Sequence, residues 1–70
     1  MVTLEQIRNN LQEAIRKCGL TQTELAHRLG IYQSAVGAYL SGRAMPALDT
    51  FANLCAVLDL DPAEILCLKN

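Results

Sequence analysis

Residues Gln22–Gly42 read QTELAHRLGIYQSAVGAYLSG. Two helical segments meet in this stretch across only Gly30-Ile31-Tyr32. A connection that short sets two helices at about 90–120° to one another, provided the corner has the right residues. Ala26 is small where the second segment must cross the first. Gly30 has access to the left-handed conformation that turns the chain. Ile31 is placed to plug the corner, and Leu25, Leu29, Val36 and Tyr39 supply the shared interior. Against this stands Gly37, in the middle of the second segment, which costs roughly 1 kcal/mol relative to alanine. Its neighbours Ser34, Ala35 and Ala38 are also small. A chain of 70 residues has little stability to lose, so a helix stripped of side chains implies that something must approach it closely.

The flanks read as further helices. On the N-terminal side, Leu4 to Cys18 carries an apolar stripe of Leu4, Ile7, Leu11, Ile15 and Cys18 at helical spacing. Thr3 and Gln6 form a capping box at its start, and Gly19 stops it. The segment after Gly19 opens on a second box, Thr21 with Glu24, and runs to Gly30. The Gly37 segment spans Gln33 to Leu40, ended by Ser41-Gly42. Beyond the loop RAMPA, a helix from Leu48 to Leu58 turns Leu48, Phe51, Leu54, Cys55 and Leu58 inward. A last short helix opens at Asp61-Pro62-Ala63-Glu64, with Asp61 as N-cap, Pro62 in the first helical position and Glu64 closing a box. Ile65 and Leu66 pack inward. No strand pattern, repeat or long linker interrupts this order. The expectation is an all-α, compact five-helix bundle forming a single domain over residues 1–70.

Composition narrows the function. Hydrophobic content is 51% and charged content 19%, which excludes a disordered chain. No apolar run approaches the roughly 18 residues that suggest a membrane span, and the start lacks the basic and apolar regions of a signal peptide. The cytoplasm is the expected compartment. Cys18, Cys55 and Cys67 are an odd set with no close pair, which argues against a disulfide framework. With His27 they offer four metal-ligating side chains, yet the Cys-x-x-Cys spacing usual in zinc sites is missing, so no metal or other cofactor is expected. One histidine and no nucleophile–base pair leave little chemistry for an enzyme, and no small-molecule substrate is evident. Net charge is −1, but its distribution is uneven: Arg16 to Arg43 holds four basic residues against one acid, and the flanks hold two against six. A basic middle between acidic ends fits one electropositive face, and fits ordinary solvated surface as well.

The tight corner, GLTQTELAHRLGI before it, SG and the following Pro46 after it, and LDLDPAEIL near the end together resemble the phage-repressor-like helix-turn-helix domains of the Cro/cI (lambda-repressor-like, XRE) type. The resemblance runs from about Leu11 to Leu66. GIYQSAVGAYLSG is particularly similar to the recognition region of lambda-type repressors. The resemblance implies a five-helix fold and sequence-specific operator binding, with double-stranded DNA as partner and the chain acting as a homodimer. It places the Gln33 helix in the major groove, its N-terminal part against base edges. Gln33, Ser34, Gly37, Ala38 and Ser41 then face the DNA. Gln33 suits a bidentate pair with adenine, Ala38 a thymine methyl, and Ser34 several bases. Gln22 is implied at a backbone phosphate and as a buttress for Gln33. Arg43 is a candidate phosphate contact, and Tyr32 is placed to reach the backbone or a base edge.

Three departures from the pattern matter. The Gln33 helix holds no Arg or Lys, Leu40 stands where an acidic residue is common, and Ser41 where Asn is common. Fewer cations imply weak non-specific binding and a shallow salt dependence, which makes dimerisation more necessary. The tail EILCLKN, with Leu66, Cys67 and Leu68, is the best candidate for the dimer contact. The rival reading is a protein-interaction module on the same fold, an antitoxin-like partner or adaptor with little DNA binding. The acidic overall charge and the Arg-free helix favour that rival.

Overall fold

In a computed structural model, described over residues 1–68, the chain forms α1 (Leu4–Lys17), α2 (Gln22–Leu29), α3 (Gln33–Ser41), α4 (Leu48–Leu58) and α5 (Pro62–Ile65). The capping boxes read from the sequence at α1 and α2 are made. At α1, the Thr3 N–H donates to Gln6 Oε1 at 2.9 Å and the Gln6 N–H to Thr3 Oγ1 at 3.2 Å. At α2, the Thr21 N–H donates to Glu24 Oε1 and the Glu24 N–H to Thr21 Oγ1, both at 3.1 Å. The hydrogen bonds from Thr21 hold the Glu24 carboxyl below its ordinary pKa. The box is therefore intact at neutral pH, and its contribution is lost as pH falls through that lowered value. At α5 the Asp61 side chain accepts from the Ala63 N–H at 2.9 Å, two residues on.

The helix ends share one device. Gly30 (φ 68°) and Gly42 (φ 81°) turn left-handed after α2 and α3, where a side chain would be strained. The next residue then donates back into the helix: Ile31 N–H to the Ala26 carbonyl and Arg43 N–H to the Ala38 carbonyl, each at 3.0 Å. Asp59 and Cys67 play the same part after α4 and α5, and Leu60 and Leu68 N–H groups close those ends. Four successive helices thus stop abruptly, and the chain turns sharply after each.

Leu11, Ile15, Leu25, Ala26, Val36, Tyr39, Leu54 and Ile65 form the core, with contributions from all five helices. Helix α3 packs against α1 and α2, α2 also against α4, and α1 against α5. Asn10 ties the last of these contacts, donating from Nδ2 to the Ile65 carbonyl at 3.1 Å. Cys55 is buried, as its inward place on α4 requires, and burial raises its thiol pKa. Leu40 is half-buried and packs on the core, so the apolar residue at that departure from the family pattern has a packing role.

Two leucines depart from the expected interior. Leu4 is 65% and Leu48 87% exposed. Each is the first residue of its helix, where the inward stripe runs out past the end of the core. They rim an apolar hollow of about 190 Å³, lined also by Ile7, Met45, Pro46, Phe51 and Leu66.

Candidate nucleic-acid interface

Helix α3 has two unlike sides. Val36 and Tyr39 are buried, whereas Gln33, Ser34 and Ser41 are exposed and Gly37 and Ala38 half-buried. Gln33, Gly37 and Ser41 follow one another at i, i+4 spacing, with Ser34 and Ala38 beside them, so they form one stripe. Nothing longer than Gln33 stands on it. A Cβ added at Gly37 would meet only Gln22 Oε1, at 3.5 Å, an ordinary contact. Packing within the protein therefore does not require glycine there.

That contact also fixes where α2 stands. Gln22 is the first residue of α2 and is exposed, and its side chain lies over Gly37 in the middle of α3. The first turn of α2 and the small stripe of α3 thus share one surface. No hydrogen bond joins the Gln22 and Gln33 amides among the described residues, so the buttress implied by the resemblance is not made in the free chain.

The start of α3 is electrostatically open. Tyr32 occupies the N-cap with no side-chain cap hydrogen bond, and the first turn contains no acid. The positive end of the helix dipole is left without a counter-charge. Tyr32 itself is 85% exposed at this end.

The far end of α3 carries hydrogen bonds that the sequence does not signal. Ser41 Oγ donates to the Ala38 carbonyl at 3.2 Å and accepts from Arg43 Nε at 3.0 Å. Ser41 therefore holds Arg43 against the helix end, where a cation is favoured by the dipole. Two residues of α1 that sequence reasoning passed over also reach this end. Gln12 Nε2 donates to the Leu40 carbonyl at 3.0 Å, across 28 residues. Arg8 lies against Gly42, with its Cδ 3.3 Å from where a Cβ on that glycine would sit. No local spacing signals either contact, because it depends on how α1 crosses α3.

His27 and Arg28 are exposed on α2, and Arg16 and Lys17 are exposed at the end of α1. Lys17 pairs with Glu13 at 3.0 Å on the open surface. Among the described residues no helix is long and apolar enough to cross a membrane.

Comparison with known proteins agrees with this geometry. A family model described as helix-turn-helix matches residues 11–65, the segment holding the α2–α3 corner and most of the core. Neither curated proteins nor solved structures yielded a match. The family is one of DNA-binding regulators. Spanning well over half of the chain, the match shows that the protein belongs to the XRE/lambda-repressor-like helix-turn-helix family.

Proposed function

We propose that the whole chain is one DNA-reading domain, a sequence-specific transcriptional regulator working as a repressor in the cytoplasm. Two copies would read a palindromic operator, each with α3 in the major groove. The observation that carries this reading is the α3 stripe of Gln33, Ser34, Gly37, Ala38 and Ser41. It is short and polar, and beside it stands an uncapped, acid-free helix start. In that pose Gln33 reads adenine, Ala38 meets a thymine methyl, and Ser34 adds a less discriminating bond. Gln22, Tyr32 and Arg43 fix the register on the backbone.

The homodimer follows from how little one copy offers. Helix α3 has no Lys or Arg, so a single copy gains little from counterion release. The apolar hollow with Leu4 and Leu48 protruding at its rim offers both a knob and a socket on one face. A two-fold contact needs such self-complementarity. Leu66 of the tail lines that hollow, whereas Lys69 and Asn70 lie outside the described residues.

Sedimentation of the chain with a duplex of about three helical turns at low salt tests this reading. Two chains per duplex are expected, with affinity falling only gently as salt is raised. No association with any duplex would turn the reading to the interaction module, which the net charge of −1 and the same apolar hollow would suit.

A further inference from the structure

Helix α3 is anchored at its two ends by different means. Its start follows the short corner after α2, so the chain itself fixes that end. Its far end has the open carbonyls that every helix leaves. The left-handed turn at Gly42 closes two of them locally. The N–H groups of Gly42, Arg43 and Ala44, with the Ser41 hydroxyl, donate to the carbonyls of Ala38 and Tyr39. None of these donors reaches the Leu40 carbonyl. Among the described residues its one donor is Gln12 Nε2 of α1, at 3.0 Å. The Tyr39 carbonyl lies 3.5 Å from the same nitrogen. Gly42 makes room for this approach. A Cβ there would stand 3.4 Å from Gln12 Nε2 and 3.3 Å from Arg8 Cδ, closer than such contacts normally run.

The rest of the contact between α1 and α3 is apolar. Leu11, Ile15, Val36 and Tyr39 share the core, and Leu40 packs on it. Apolar burial is non-directional. It selects the face of α3 that turns inward and does not by itself fix the helix axis. A hydrogen bond demands both a distance and an angle. Among the described residues the bonds of Gln12 are the only ones between α1 and α3.

We propose that Gln12 is a positioning residue for base reading, its clamp on the Leu40 carbonyl setting the angle at which α3 enters the major groove. The proposal rests on the reading of α3 as the DNA-facing helix. The nine residues of α3 span about 12 Å, so a pivot of about 10° at the corner moves the far end by about 2 Å. A binding constellation must be held to within about 0.5 Å or 10–20°. Displacement grows with distance from the corner. Gln33, at the pivot, keeps its base, while Ala38 is carried off the thymine methyl.

Gln12→Met tests the clamp, because it keeps the length of the side chain and removes its donors. Residual dipolar couplings of the backbone N–H groups give the axis of α3 relative to α1 in the free chain. The substitution is expected to turn that axis by about 10°, and an unmoved axis would overturn the proposal. On a duplex enriched by the wild type, each thymine of a half-site is then replaced in turn by uracil, which removes one methyl. The wild type should lose about fourfold in affinity at one of them, the worth of one buried methyl. Gln12→Met should bind that pair of duplexes alike and keep the adenine preference of Gln33. Equal losses at the adenine and the thymine would mark a general weakening of the fold. An unchanged profile would mark a contact without consequence, and either result overturns the proposal. Should Gln12→Met fold poorly, the Gln12 side-chain amide protons of the unaltered protein decide. They are expected to exchange more slowly than those of a free glutamine amide, and equal rates would overturn the clamp. A wild type without any base preference would overturn the DNA reading itself. A wild type with base preference, beside a Gln12→Met chain whose axis is unmoved, overturns the clamp alone.

Discussion

Gly37→Leu is expected to leave the protein at least as stable as the wild type and to cost it operator binding. Within the chain a Cβ at this position meets only Gln22 Oε1, at 3.5 Å. Removing a mid-helix glycine stabilises a helix by roughly 0.5–1 kcal/mol. In a domain of this size that raises Tm by about 4–8 °C per kcal/mol. Bound to DNA, the same side chain would stand between the α3 backbone and the base edges and displace the contacts of Gln33 and Ala38. Bidentate base contacts are worth about 1–3 kcal/mol each, so specific affinity should fall by about tenfold to hundredfold. Thermal melts beside binding isotherms check both signs. A variant that is more stable and binds unimpaired would mean that this face does not enter the groove.

The second large effect separates two leucines that spacing alone places alike. Leu25→Ala removes a side chain that is 1% exposed and belongs to the core cluster. Truncations of this kind cost about 2–5 kcal/mol. Small domains hold only about 0.05–0.15 kcal/mol per residue in total, so Leu25→Ala should lower Tm by on the order of 10–30 °C. Leu48→Ala removes a side chain that is 87% exposed, and its effect should stay within about 0.5 kcal/mol. Equal losses from the two substitutions, measured by urea unfolding at low protein concentration, would contradict the placement of the core.

The sequence was legible wherever structure follows from neighbours. The Thr3–Gln6 and Thr21–Glu24 boxes, the left-handed Gly30 and the interior of Leu25, Val36 and Tyr39 are all local in origin. The order of five helices follows from these signals. Leu4 and Leu48 were misplaced because a helical stripe tells which face is apolar and not where along the helix the core ends. At the candidate site, the outward stripe from Gln33 to Ser41 follows directly from the burial of Val36 and Tyr39. The clamp on the other end of α3 does not, because Gln12 and Leu40 are separated by 28 residues and no periodicity links them. Ser41 was given a base-facing role from its position on the wheel. In the free chain its hydroxyl is engaged with Arg43 and the Ala38 carbonyl, a choice that depends on where Arg43 folds after Gly42.

The most direct measurement is parallel selection from a random duplex library at low salt with the wild type and with Gln33→Ala. Gln33 is exposed at the start of α3, so the substitution leaves the core untouched. If two copies read DNA through this helix, the wild type enriches an inverted repeat with half-sites about 34 Å apart. Gln33→Ala then enriches the same repeat but loses its preference at one symmetry-related adenine position, a cost of about 1–3 kcal/mol there. Enrichment of one identical sequence by both chains would contradict the assignment of Gln33 as a base reader, and enrichment by neither would contradict operator binding altogether.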